Sequence, residues 1–182
     1  NSFNGSTKAN AAIIPAGAGG GVSVFVTDTT EVILDVNGYF VPATPANVQT
    51  TLAYQPLGAC RLLDTRLTTS LAAGETRTLP LRTTLNACGS IGANARAYNV
   101  NVTVIPKTGR VSFLTLWPSG AGRPVVSTLN SPLGTIVANA AIISAGPDGA
   151  IQVFSTDPAD VLIDLAGTFL PESGDGLYHL YP

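Results

Sequence analysis

The sequence has no methionine, one histidine, one tryptophan and two cysteines, and charged residues fill only 11% of its 182 positions. Each shortage removes a class of function. With His179 the sole histidine, in a tail reading LYHLYP, a histidine metal site or a Ser-His-Asp arrangement would rest on one residue. Lysine occurs only as Lys8 and Lys107 and the formal net charge is −2, which speaks against nucleic acid, whose phosphates need a clustered cationic surface. No apolar run approaches the roughly 20 residues needed to cross a bilayer. Low charge with ample apolar content also argues against disorder. The N-terminus is not signal-like and lacks an initiator methionine, so the expectation is a mature chain or a piece of a longer polypeptide.

The two cysteines, Cys60 and Cys88, enclose a stretch of 27 residues. A composition poor in lysine and rich in threonine and glycine points outside the cell, where disulfides persist, and a Cys60–Cys88 bridge is expected. In the chain-entropy account it stabilises the fold by about 3 kcal/mol.

What the sequence does contain is a repeat. Residues 1–42 and 130–171 align without a gap at an offset of 129, with half the positions identical. Asn10-Ala11-Ala12-Ile13-Ile14 matches Asn139-Ala140-Ala141-Ile142-Ile143, Val24-Phe25 matches Val153-Phe154, and Gly38 and Phe40 match Gly167 and Phe169. The phase of the repeat divides the chain. Residues 1–42 read as the C-terminal half of a module, 43–52 as a linker, 53–171 as a complete module and 172–182 as a tail. That tail ends in Tyr181-Pro182, which resembles the lead-in Tyr54-Gln55-Pro56.

Period-2 alternation with β-branched enrichment predicts strands throughout and no sustained helix. Expected strands are 22–26 and 31–36, their counterparts 150–155 and 160–169, a long pair at 97–105 and 111–117, and shorter ones at 60–64, 76–81 and 125–129. Pro106-Lys107-Thr108-Gly109 is a turn, as are Asp28-Thr29-Thr30 and the glycine run 17–21, which precedes a strand and not the helix that a phosphate loop requires. Eight or so strands per module describe an all-β antiparallel β-sandwich of jelly-roll type. A leading half copy would then have an apolar face and open edges.

Candidate chemistry is thin. Asp64-Thr65-Arg66 with Arg61 reads as a structural cluster in which the carboxylate meets an arginine and turn amides. Asp35 and Asp164 repeat, as do Asp28 and Asp157, but no calcium-loop spacing exists, so no metal or other cofactor is expected and turn capping is the default. Trp117, Phe113 and Tyr98 form a candidate aromatic platform for a sugar, although the alternation Phe113, Thr115, Trp117 also suits a core face. Asn4-Gly5-Ser6 and Asn101-Val102-Thr103 match the glycosylation sequon.

Taken in order, YQPLGACRLLDTR, NACGS, AYNVNVTVI, FLTLWPSG, STLN and VLIDLAGTF resemble a module of about 125 residues that occurs in tandem in secreted bacterial proteins. The resemblance spans nearly the whole chain; Ala59 stands where proline usually precedes the first cysteine. It implies an extracellular β-domain, supports the disulfide and implies little about activity. Two functions follow as expectations. The first is a non-enzymatic structural protein of a surface filament, self-associating or joined to a neighbouring repeat. Its inter-subunit strand segment would carry Val22, Val24, Phe25, Val32, Leu34, Val36, Tyr39 and Phe40. The second is a polysaccharide- or cell-wall-binding module of a larger secreted protein.

Overall fold

The computed structural model describes residues 5, 7–8, 10–12, 14, 16–36, 38–41, 44, 51–82, 88–89 and 91–171. The tail 172–182 with His179, most of the linker 43–52, and Asn4 of the first sequon lie outside them.

Among the described residues eight strands form two four-stranded sheets. In chain order they are β1 (Leu52–Asp64), β2 (Thr76–Leu79), β3 (Ala97–Pro106), β4 (Val111–Pro118), β5 (Leu129–Ser131), β6 (Val137–Ser144), β7 (Ile151–Ser155) and β8 (Ala159–Pro171). The first sheet runs β1-β8-β3-β6 and the second β2-β7-β4-β5, with every pairing antiparallel. This is the expected all-β sandwich. Alternation builds its core: Tyr98, Val100, Val102 and Val104 of β3, with Val161, Ile163 and Leu165 of β8 beside them in the first sheet, meet Leu114 and Leu116 of β4 and Ile151 and Val153 of β7 from the second. Among the described residues the helical content is two 3-10 turns, Ala18–Gly20 and Thr65–Leu67.

Three strand expectations need correction. β1 begins at Leu52, well before Cys60, because its register against β8 slips between Pro56 and Cys60 and again between Arg61 and Leu63. Such bulges break the period that marks a strand in sequence. The strand expected at 125–129 is instead Leu129–Ser131, and Val125 and Val126 lie exposed in the preceding loop. β6 is a further strand, on the edge of the first sheet, where alanines stand in place of a branched alternation.

The largest departure is at the start of the chain. The segments 22–26 and 31–36, expected as strands, pair with nothing, and every described residue from 5 to 44 is exposed. The topology explains why. Their repeat counterparts are β7 and β8, which are interior strands: β7 lies between β2 and β4, and β8 between β1 and β3. Both positions are already filled by residues 151–155 and 159–171. A strand exists through its partner's hydrogen bonds, so an identical pattern without a vacant slot stays unpaired.

Candidate functional site

Cys60 and Cys88 form the expected disulfide, with Cα atoms 5.1 Å apart. Both are partly buried against the core, and the bridge ties β1 to the loop that follows β2. Beside it, the CRLLDTR segment builds an ion-pair cluster. Arg61 clamps Asp164 of β8 with two near-parallel bonds, Nε to Oδ1 at 2.7 Å and Nη2 to Oδ2 at 3.0 Å. Asp64 accepts from Arg66 Nη2 at 2.6 Å and Nε at 2.9 Å, from Arg61 Nη1 at 3.3 Å, and from the Arg66 backbone N–H at 3.1 Å, which caps the 3-10 turn. The Arg66 hydrogen bonds hold the Asp64 carboxyl well below the usual carboxylate range. The carboxylate is acceptor-saturated by arginines, as the sequence suggested.

Asp164 departs from the turn-capping expectation, because Arg61 claims both its oxygens across the strand pair. Asp157 does cap, accepting the Ser112 backbone N–H at 2.8 Å and the Thr156 hydroxyl at 2.6 Å. The Ser112 bond, followed by that from Thr156, lowers its carboxyl from the ordinary value.

Sequence reading missed a deeper acid. Asp160 is buried at the head of β8 and accepts from Ser70 at 2.6 Å and Thr65 at 3.0 Å, while Lys107 Nζ meets its second oxygen at 2.5 Å. Burial pushes its carboxyl up, but the bonds from Lys107, Ser70 and Thr65 together outweigh burial and leave it below the ordinary value. Thr65 also accepts the Val161 backbone N–H at 2.8 Å, so the DTR threonine locks the turn to β8. The signal available in sequence was the repeat itself, which holds an acid, Glu31, at the matching place.

The proposed aromatic platform does not assemble. Tyr98 lies on β3 in the first sheet, is fully buried, and donates its hydroxyl to the Gly149 carbonyl at 2.6 Å. Phe113 and Trp117 lie on β4 in the other sheet. Trp117 is buried with its indole N–H on the Ala121 carbonyl at 3.0 Å, and the Thr115 hydroxyl beside it bonds the Val126 carbonyl at 2.8 Å. Segment 119–128 therefore covers the outer face of β4. Phe113 is half-buried against Phe154, ring centroids 5.6 Å apart, with the Arg123 guanidinium 3.9 Å above the Phe154 ring. These are packing contacts, and no face common to the three is open to a sugar.

The apolar residues of the half copy are placed differently. Val22, Val24, Phe25, Val32, Leu34, Val36, Tyr39 and Phe40 are all exposed. Phe25 is 88% exposed where its counterpart Phe154 is 7%, and Val36 is 83% exposed where Leu165 is 0%. Thr27 already donates to the Asp28 carboxylate at 2.8 Å, as Thr156 does to Asp157, so the local turn bond forms without the rest of the module. Thr7 and Lys8 line a crevice together with Asn130, Pro132, Leu133, Thr135 and Val137.

No protein-family model, curated protein or solved structure matches this chain. Among the described residues no helix is long and apolar enough to cross a membrane.

Proposed function

We propose that this chain is a structural, non-catalytic segment of an extracellular surface filament, in which residues 1–42 join one module to the next by strand complementation. The observation that carries this reading is the pairwise contrast between the copies. The same apolar pattern is core in residues 130–171 and open to water in residues 1–42. Eight large apolar side chains held in water are a patch with a partner, because their burial stabilises by about 1.5–3 kcal/mol each.

The topology also bears on the kind of partner that fits this reading. The counterparts of 22–26 and 31–41 are interior strands, so adding a strand to the edge of a finished module would not reproduce their environment. Completion needs a front half, the equivalent of residues 52–129, whose own back half is not in place. Residues 1–182 hold two back halves and one front half, so the count balances only where a neighbour supplies one front half more than it supplies back halves. The disulfide fits an oxidising, extracellular setting. Head-to-tail contacts of this type are heterologous and extend as fibres unless rotation closes them.

Electron microscopy of the native material tests the reading. Fibres with a module-sized axial repeat are expected, and Leu34→Asp, which places a charge on the donated face, should abolish them. Uniform monomers in the native material would overturn it.

A further inference from the structure

The back half in place, residues 130–171, leaves marks on its own sequence wherever it touches the front half. The half copy carries the same marks with nothing against them. A Cβ on Gly146 would overlap the Ser119 hydroxyl and lie 2.5 Å from the Ser119 carbonyl oxygen, and one on Gly167 would lie 2.5 Å from the Tyr54 ring. Their counterparts are Gly17 and Gly38. Gly38 has no atom within 4 Å of such a Cβ and needs no left-handed backbone, and Gly17 meets only the Gly21 carbonyl at 3.1 Å. Glycine at Gly38 answers to no contact in its present surroundings, whereas a tyrosine ring lying on it would require it. Asp35 stands where Asp164 takes the Arg61 fork, and among the described residues Asp35 makes no ion pair. A face that keeps contact-dictated residues is built for the surface that dictates them.

That surface is within reach. β8 ends beside the start of β1, with Pro171 opposite Leu52. The position matching Pro171 is 42, and residues 43–51 are the only connection from there to Leu52. Nine residues are ample for a hairpin between adjacent antiparallel strands, where loops of about 2–5 residues are usual. A short tether of this kind also gives an effective concentration on the order of millimolar. The disulfide lies wholly within the front half, so it holds that half together whichever back half is docked.

We infer that residues 1–42 are a second back half for this chain's own front half: by displacing residues 130–171 from residues 52–129 they complete the same sandwich in permuted order, and the displaced segment becomes the free connecting arm. The inference rests on reading residues 1–42 as a strand-donating half. Two replacements favour the arrangement in the structure. Thr30 is larger than the fully buried Ala159, and Glu31 is one methylene longer than Asp160 in its closed network. The exchange is therefore biased toward residues 130–171, and releasing that bias exposes the alternative. The chain can then offer its free arm at either end, which suits a fibre whose modules are joined in both directions.

The test uses the full chain with matched charges placed in each copy. Ile163→Asp buries a carboxylate in the core and bars residues 130–171 from docking. Leu34→Asp does the same to residues 1–42. Hydrogen exchange of the parent in its unassembled form and of Leu34→Asp should protect 151–165 and leave 22–36 open. In Ile163→Asp the chain should remain folded, with protection at 22–36 rising about 100-fold while 151–165 opens. The double variant should be unfolded. If Ile163→Asp is unfolded like the double variant, or folds with 22–36 still open, the exchange does not occur. That outcome leaves filament formation by the parent chain untouched. Monomeric parent material with an intact exchange would instead overturn the filament.

Discussion

The two copies allow one substitution to be made twice, at equivalent positions in opposite environments. Ile163 is wholly buried at the centre of β8, while Leu34, its counterpart, is 65% exposed. Ile163→Ala removes three carbons from a packed core and leaves a cavity between β1, β3 and the facing sheet, a change that costs about 2–5 kcal/mol. Leu34→Ala removes atoms already in water and should stay within about 0.5 kcal/mol. For a module of about 120 residues the unfolding entropy is about 0.25 kcal/mol/K, so a 3 kcal/mol loss lowers Tm by about 12 °C. Trp117 is the only tryptophan and is buried on β4, so its emission reports the unfolding of the module alone. Urea and thermal melts followed at Trp117 should separate the two variants clearly. Equal destabilisation by both would mean that residues 1–42 already share the core, and a neutral Ile163→Ala would mean that β8 is not central. Either result refutes the contrast on which the proposed function stands.

Replacing Cys60 and Cys88 together by serine should cost about 3 kcal/mol, read as a lower urea midpoint, and a reductant should do the same to the parent chain. Tyr98→Phe leaves the Gly149 carbonyl without its buried donor and should cost about 1–3 kcal/mol by the same melt. Acid should destabilise the module through Asp64, Asp157 and Asp160, through Asp148, lowered by the Ser119 hydroxyl and the Ala150 N–H, and through Glu75, lowered by the Ala72 N–H; all lie below their ordinary values in the fold. The unfolded chain binds more protons there, so stability is fully present above about pH 5 and falls as the pH drops below about 4; midpoints unchanged down to pH 2 would contradict the assigned networks. Trp117→Ala should act as a core deletion of about 3–5 kcal/mol, and an unchanged Tm would return Trp117 to the surface.

Much of the fold was written in local pattern. The alternation of 97–105 and 111–117 gave β3 and β4 nearly to the residue, because a half-buried strand repeats every two positions wherever it lies. β1 escaped because its bulges at Pro56–Cys60 and Arg61–Leu63 shift the phase, and β6 because alanine carries little propensity. The polar sites divide the same way. Asp64, capping a turn two residues away, was readable from its own segment, whereas Asp160 draws on Thr65, Ser70 and Lys107 from three separate places in the chain.

The sequence by itself determined the class of fold, the disulfide, and the likeness of residues 1–42 to residues 130–171, since each is a matter of pattern along one chain. Only the tertiary structure decided that Tyr98 and Trp117 belong to packing and not to a shared platform, because the burial of an aromatic side chain depends on what lies above its sheet. It likewise decided that residues 22–36 remain unpaired while the same pattern at 151–165 forms β7 and part of β8. The two segments carry a similar pattern, but a strand needs a slot between partners, and the slots between β2 and β4 and between β1 and β3 are filled by residues 151–155 and 159–171.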